Sequence, residues 1–146
     1  MSGVVMGDTL TVLGFDYGTA KVGVAVGNTV AASATALTII RYRSKDQLFA
    51  QVGDLIAHWS PDLLVVGRPL SESGAVIPVT NHAVRFANRL QGRYGLAVHL
   101  VDERFSSVAA QSELRENAGG KRAADDDAVA ASIILRQYLD EHTTSK

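Results

Sequence analysis

Residues 12–27 constrain the fold of this chain more than any other stretch. The run Val12-Leu13-Gly14-Phe15-Asp16-Tyr17-Gly18-Thr19-Ala20-Lys21-Val22-Gly23-Val24-Ala25-Val26-Gly27 reads as two apolar strands joined by a tight turn. A single carboxylate, Asp16, ends the first strand. An acid among Val, Leu and Phe is costly to bury unless it is paired or binds a cation. Asp16 also fits a turn residue before Tyr17-Gly18. Its role therefore depends on whether other carboxylates meet it.

The chain around this hairpin has 146 residues, enough for one domain with a sizeable core. Apolar residues make up 47% and charged residues 20%, as in a folded rather than a disordered protein. There is no Cys, which excludes a disulfide scaffold, a thiolate zinc site and a cysteine nucleophile. The start MSGVVMGDTL has no basic and apolar segments of the signal-peptide kind. No apolar run approaches the roughly 18 residues of a membrane span. The net charge is −1, so nucleic-acid binding would need a local basic patch. The expected organisation is a flexible leader over 1–8, one domain over 9–142 and a flexible tail over 143–146.

Strands are expected at 10–17, 22–27 and about 34–41. Ser44 then caps a helix to about Trp59, with Leu48, Val52, Leu55, Ile56 and Trp59 on one apolar face. Ser60-Pro61-Asp62 ends it. The continuous apolar run Leu63-Leu64-Val65-Val66-Gly67 suggests a strand buried on both faces. Residues 68–77 read as a polar loop. A helix follows from Pro78 to about Arg93, with Val79, Ala83, Phe86 and Leu90 apolar. Residues 96–101 form a fifth strand that delivers Asp102-Glu103-Arg104. A helix from Ser106 or Ser107 to about Asn117 and a last helix over about 126–141 complete the pattern. Short links make the first three strands antiparallel, and helical crossovers make the later ones parallel. The result is an α/β fold with a five-stranded mixed sheet and helices on both faces.

Three acids stand out in this layout. Asp16 ends the first strand, Glu103 follows the fifth, and Asp127 opens the last helix. Sites in open α/β sheets form beyond the carboxyl ends of strands. Three converging carboxylates repel one another unless a cation neutralises them, and hard oxygen ligands suit Mg²⁺ or Mn²⁺. Two such ions about 4 Å apart can activate a water and stabilise the leaving oxygen of a phosphodiester. Bland alternatives exist for each acid. Glu103 beside Arg104 fits a surface ion pair. The run Asp125-Asp126-Asp127 fits a helix cap that complements the dipole. Spacing does not settle which of the three turns inward, although Asp127 shares a helical face with Ala131 and Ile134.

Basic residues cluster at Arg41, Arg43 and Lys45, at Arg85, Arg89 and Arg93 with His82 nearby, and at Lys121-Arg122. The i, i+4, i+8 stripe of the second cluster reads first as a solvated helix face. The four His lack metal-ligand spacing, and no nucleophile elbow accompanies any Ser.

Over nearly its whole length the chain resembles the YqgF/RuvX family of RNase H-like proteins, described as Holliday junction resolvases or pre-16S rRNA nucleases. The resemblance rests on Gly14-Phe15-Asp16-Tyr17-Gly18-Thr19 with Lys21-Val22-Gly23-Val24-Ala25, on Val65-Val66-Gly67-Arg68-Pro69-Leu70, on Asp102-Glu103-Arg104, and on Asp127-Ala128-Val129-Ala130-Ala131 with Ile134-Leu135. Each motif is weak alone; four in order are strong. The resemblance implies an RNase H-like nuclease domain with a catalytic, metal-binding triad of Asp16, Glu103 and Asp127. It also implies two Mg²⁺ or Mn²⁺ ions and phosphodiester hydrolysis in the cytoplasm. Lys21, Arg68, Arg104, Lys121 and Arg122 are the candidate nucleic-acid contacts. The expected substrate is the 5′ end of pre-16S rRNA, with a four-way DNA junction as the alternative and a monomer or weak homodimer as the acting unit. The Asp-x-Gly-Thr hairpin also resembles the phosphate clamp of actin-like ATPases, but a chain of this length would hold only half of that cleft. A non-catalytic RNA-binding role is the remaining alternative.

Overall fold

The computed structural model describes residues 9–18, 20–31, 33–71, 73–103 and 123–143, with the side chains of 123–127, 142 and 143 excepted. Five strands and three helices are described: β1 (Thr11–Asp16), β2 (Lys21–Asn28), β3 (Ser33–Arg41), α1 (Lys45–Trp59), β4 (Leu63–Pro69), α2 (Pro78–Tyr94), β5 (Ala97–Glu103) and α3 (Ala123–Thr143). The expected leader over 1–8 and the helix expected over 106–117 lie outside the described residues. Among those residues no helix is long and apolar enough to cross a membrane.

The strands form one sheet in the order β3-β2-β1-β4-β5. The meander β1-β2-β3 is antiparallel, while β4 runs parallel to β1 and β5 parallel to β4. This is the mixed sheet expected from the link lengths. The sheet order inserts β4 between β1 and β5, so the ends of β1 and β5 point the same way across one intervening strand.

Period-two alternation sends successive side chains to opposite faces. From β1, Leu13 and Phe15 join Tyr17, Val22, Val24, Leu48, Phe49, Val52, Phe86 and Leu90 in a core under α1 and α2. Val12 goes the other way and meets Ala25, Val65, Val101, Ala131, Ile134, Leu135 and Leu139 under α3. Leu64, Val65 and Val66 are all fully buried, as a continuous apolar run between two helical layers requires.

Local chemistry sets the boundaries. Ser44 caps α1 by accepting from the Gln47 N–H. Gly95, at φ +67°, ends α2. The buried Thr80 hydroxyl accepts from the Ile77 N–H and donates to the Pro69 carbonyl, which ties the first turn of α2 to the end of β4.

Several boundaries differ from expectation. β4 extends through Arg68-Pro69, because both residues pair with β5 at Asp102 and Glu103. Glu103 therefore lies in a strand rather than after one. α3 begins at Ala123, three residues early, so Asp125-Asp126-Asp127 sit within its first turns rather than at its opening. α3 also runs to Thr143, one residue into the expected tail; 144–146 lie outside the described residues. In α1, Phe49 is buried, while Leu55, Ile56 and Trp59 are only partly so. Phe49 turns inward because Phe86 of α2 packs against its ring at 5.9 Å between centroids.

Candidate active site

Asp16 and Glu103 are brought together by the sheet order. Asp16 alternates with Gly14 and Val12, and Glu103 with Val101, so both project to the α3 face. Neighbouring strands lie roughly 4.8 Å apart, which puts the backbones of β1 and β5 about 10 Å from each other. The gap is bridged over β4, where Gly67 faces the same side as Val65. A Cβ at Gly67 would sit against Oε2 of Glu103, 2.9 Å from its Cδ, and against Cδ1 of Ile134. The missing side chain at Gly67 is the space in which the Glu103 carboxyl group lies.

Glu103 is only 5% exposed. Among the described residues no hydrogen-bond donor or cation reaches its carboxyl. Its pKa is pushed up from 4.5 to about 8, first by burial and second by the charge of Asp16. A buried acid whose nearest charge is a second acid calls for a cation, and an all-oxygen donor pair suits Mg²⁺ or Mn²⁺. Among the described residues these two acids form a pair rather than a cluster of three or more ligands. The backbone of Asp127 is in α3, whose Ala131 and Ile134 pack on the same face of the sheet. The side chains of Asp127, Asp125 and Asp126 lie outside the described residues.

A buried hydroxyl holds the turn that follows Asp16. Tyr42, at the end of β3, donates to the Gly18 carbonyl at 2.6 Å and lies 3.3 Å from the Tyr17 hydroxyl. Burial and the neighbouring Tyr17 raise its pKa, so it stays protonated and keeps donating. The sequence reading gave no role to Tyr42 or to Gly67. The signal for Gly67 was a glycine ending an otherwise unbroken apolar strand. Tyr42 showed none, because its partner is reached only through the β2–β3 pairing.

The expected nucleic-acid contacts fall differently. Lys21 opens β2 beside this turn and lines a hollow with Arg41 and Arg43. Arg68 is engaged by Asp102, Nε to Oδ1 at 2.7 Å, with both side chains partly exposed. Both residues line a hollow at the edge of the sheet with Val101 of β5 and Gln137, Tyr138 and Glu141 of α3. Arg104, Lys121 and Arg122 lie outside the described residues.

Residues 10–141 match the family model described as RuvX, Holliday junction resolvase. The chain belongs to that family. A "Putative pre-16S rRNA nuclease" of Burkholderia ambifaria is 50% identical over 143 residues, covering 97% of this chain and 95% of the relative. A Paraburkholderia phytofirmans protein of the same name is 52% identical over 134 residues, covering 92% and 90%.

Among solved structures, a Thermus thermophilus RuvC in complex with a Holliday junction substrate superposes with a TM-score of 0.56 at 17% identity, covering 92% of this chain and 97% of that one. A Fowlpox virus resolvase with Holliday junction DNA gives 0.56 at 12%, covering 90% and 98%. At these identities the structures speak to fold. They agree with the expected RNase H-like architecture, which this RuvX-family chain carries.

Proposed function

We propose that this protein is a divalent-metal-dependent endonuclease that hydrolyses phosphodiester bonds in structured nucleic acid, with the 5′ end of pre-16S rRNA as its substrate. One observation carries the reading: a buried Glu103, lying over Gly67 and acted on by the charge of Asp16, with both acids at the ends of parallel strands. The relatives' name supplies the RNA. Asp16, Glu103 and Asp127 are assigned as catalytic and metal-binding residues of a single nuclease domain over 9–142. Asp16, Glu103 and Asp127 would hold Mg²⁺ or Mn²⁺, which would supply an activated water and charge neutralisation at the scissile phosphate. The chain's own contribution is placement. β1 and β5 fix the two carboxylates from opposite sides of β4. Gly67 leaves room for Glu103, and Ile134 shields it from water. Tyr42 fixes the turn that follows Asp16. We assign the protein to the cytoplasm, as a monomer or weak homodimer.

A four-way DNA junction is the second reading, favoured by the family description and by the junction-bound resolvases that share the fold. Two paired cuts across a two-fold junction require a dimer. The test is cleavage of a precursor rRNA fragment beside a four-way DNA junction, with Mg²⁺ and with Mn²⁺. Asp16→Asn is expected to lower cleavage by about 10²–10⁴-fold, since a metal-assisted step loses several kcal/mol of charge stabilisation. Cutting by Asp16→Asn at the wild-type rate would refute the mechanism. Faster cutting of the junction by a stable dimer would select the second reading.

A further inference from the structure

We propose that the face of the sheet opposite α3 carries a second polyanion surface, which holds the phosphate backbone of the nucleic acid outside the catalytic pair. It rests on the nuclease reading only for the identity of the bound polymer.

Two basic clusters that are distant in sequence meet there. Beyond the end of β3, Arg43 lines a hollow of about 600 Å³ with Lys21 and Arg41, which alternate to the α3 side of β2 and β3. Two residues on, Lys45 of α1 lines a second hollow with His82, Arg85 and Arg89 of α2. Tyr17, the residue after Asp16, lies in the wall of that second hollow, so the band begins at the catalytic end of β1.

Charge sets this surface apart. α2 (PVTNHAVRFANRLQGRY) carries three Arg and a His with no acid, in a chain of net charge −1. Between Arg41 and Gln51 the one carboxylate is Asp46. Arg41, Arg43, Lys45, Arg85 and Arg89 are all exposed, and among the described residues no carboxylate pairs with any of them. A solvated helix face with no external partner normally intersperses both signs, as i, i+4 pairs favour. This one does not.

The stripe is also ordered. Arg85, Arg89 and Arg93 rise roughly 6 Å apart along one side of the helix. Arg93 is held with its guanidinium 4.5 Å above the Phe49 ring. Fixed cations in a row suit a phosphate backbone, because each neutralised phosphate releases a counterion. An acidic protein would be drawn by the same charges, but here the band adjoins the candidate nuclease site.

The experiment measures binding, separately from cutting, in the Asp16→Asn background. Fluorescence anisotropy of a labelled precursor-rRNA stem is recorded against salt for that protein and for a triple variant adding Lys45→Gln, Arg85→Gln and Arg89→Gln. Arg93 is kept because it packs on Phe49. The expected results are unchanged circular dichroism and Tm, affinity lower by about 10–100-fold, and a salt slope smaller by two to three, close to one per lost phosphate contact. Arg136→Gln, which removes an exposed charge from α3, is the control and is expected to change affinity less than about twofold. Unchanged affinity and slope in the triple variant would overturn the proposal and leave the band to an acidic protein partner. So would an equal loss per charge from Arg136→Gln, which would indicate net charge rather than a site. A chain that binds through this band yet cuts neither substrate would sink the nuclease reading while upholding the surface.

Discussion

The two faces of the sheet are built from the same strands by opposite rules. Under α1 and α2 the sheet offers Leu13, Phe15, Val24, Leu64 and Val66, and the helices answer with Phe49, Phe86 and Leu90. The layer is filled by large side chains, and Phe86 touches Phe15, Tyr17 and Phe49 ring to ring. Under α3 the sheet offers Gly14, Ala25 and Gly67 among Val12, Val65 and Val101. The helix comes so close that a Cβ at Gly14 would stand 2.9 Å from Cβ of Leu135. One face gains its stability from volume. The other also packs Val12, Val65 and Val101 against α3, but gives up volume at Gly14 for the helix and at Gly67 for the Glu103 carboxyl. Stability and chemistry are thereby divided between the layers, and substitutions on each face should separate them.

The largest effect is expected on the aromatic face. Phe86→Ala should cost about 3–5 kcal/mol, the usual range for deleting a buried ring. Chemical denaturation measures it. Cleavage per folded molecule should fall only a fewfold, because the ring meets the site through Tyr17 rather than through either acid. A comparable loss of specific activity would mean that the two faces are not independent.

Next in size is the pH dependence of the metal-free protein. Glu103 has a folded pKa of about 8 against 4.5 when unfolded. Between these values the folded state holds a proton that the unfolded state has released. Stability therefore falls as pH rises from about 4.5 to 8. Glu103→Gln, neutral throughout, should lack this slope and melt at least about 5 °C above wild type near pH 8 without metal. Parallel melting curves across that window would show that Glu103 is not buried against a like charge.

The smallest effect on stability, though a sharp one on function, is expected at Gly67. Gly67→Ala places a methyl where the Glu103 carboxyl and Ile134 now lie. Overpacking of this kind costs about 1–3 kcal/mol. The displaced carboxyl should lower cleavage by at least about tenfold, since misplacement by about 1 Å can cost about 100-fold. An alanine variant of full activity would show that Glu103 does not need that space.

Much of this is legible in the sequence. The unbroken run Leu63–Val66 announced a strand between two layers, and the antiparallel and parallel pairing followed from link lengths. Asp16 and Glu103 were legible because each is an acid at the end of an apolar strand. What was not legible depends on neighbours distant in sequence. Gly67 acquires its role only because β4 is inserted between β1 and β5. Phe49 is buried because Phe86, thirty-seven residues later, supplies a ring to receive it. Arg68 reads as a free cation until the β4–β5 register sets it opposite Asp102. Likewise Lys45 and Arg89 belong to separate clusters in the chain and to one hollow in the fold.

The insertion of β4 between the two acids also bears on how the chain gains its activity during folding. Asp16 and Glu103 are eighty-seven residues apart and do not lie on adjacent strands. The hairpin bearing Asp16 is local and closes early, whereas parallel pairing of β4 and then β5 requires two long crossovers and is slow. No partly folded chain with an unpaired β5 holds both carboxylates. On the proposed assignment, a chain whose β5 is not yet paired lacks the site.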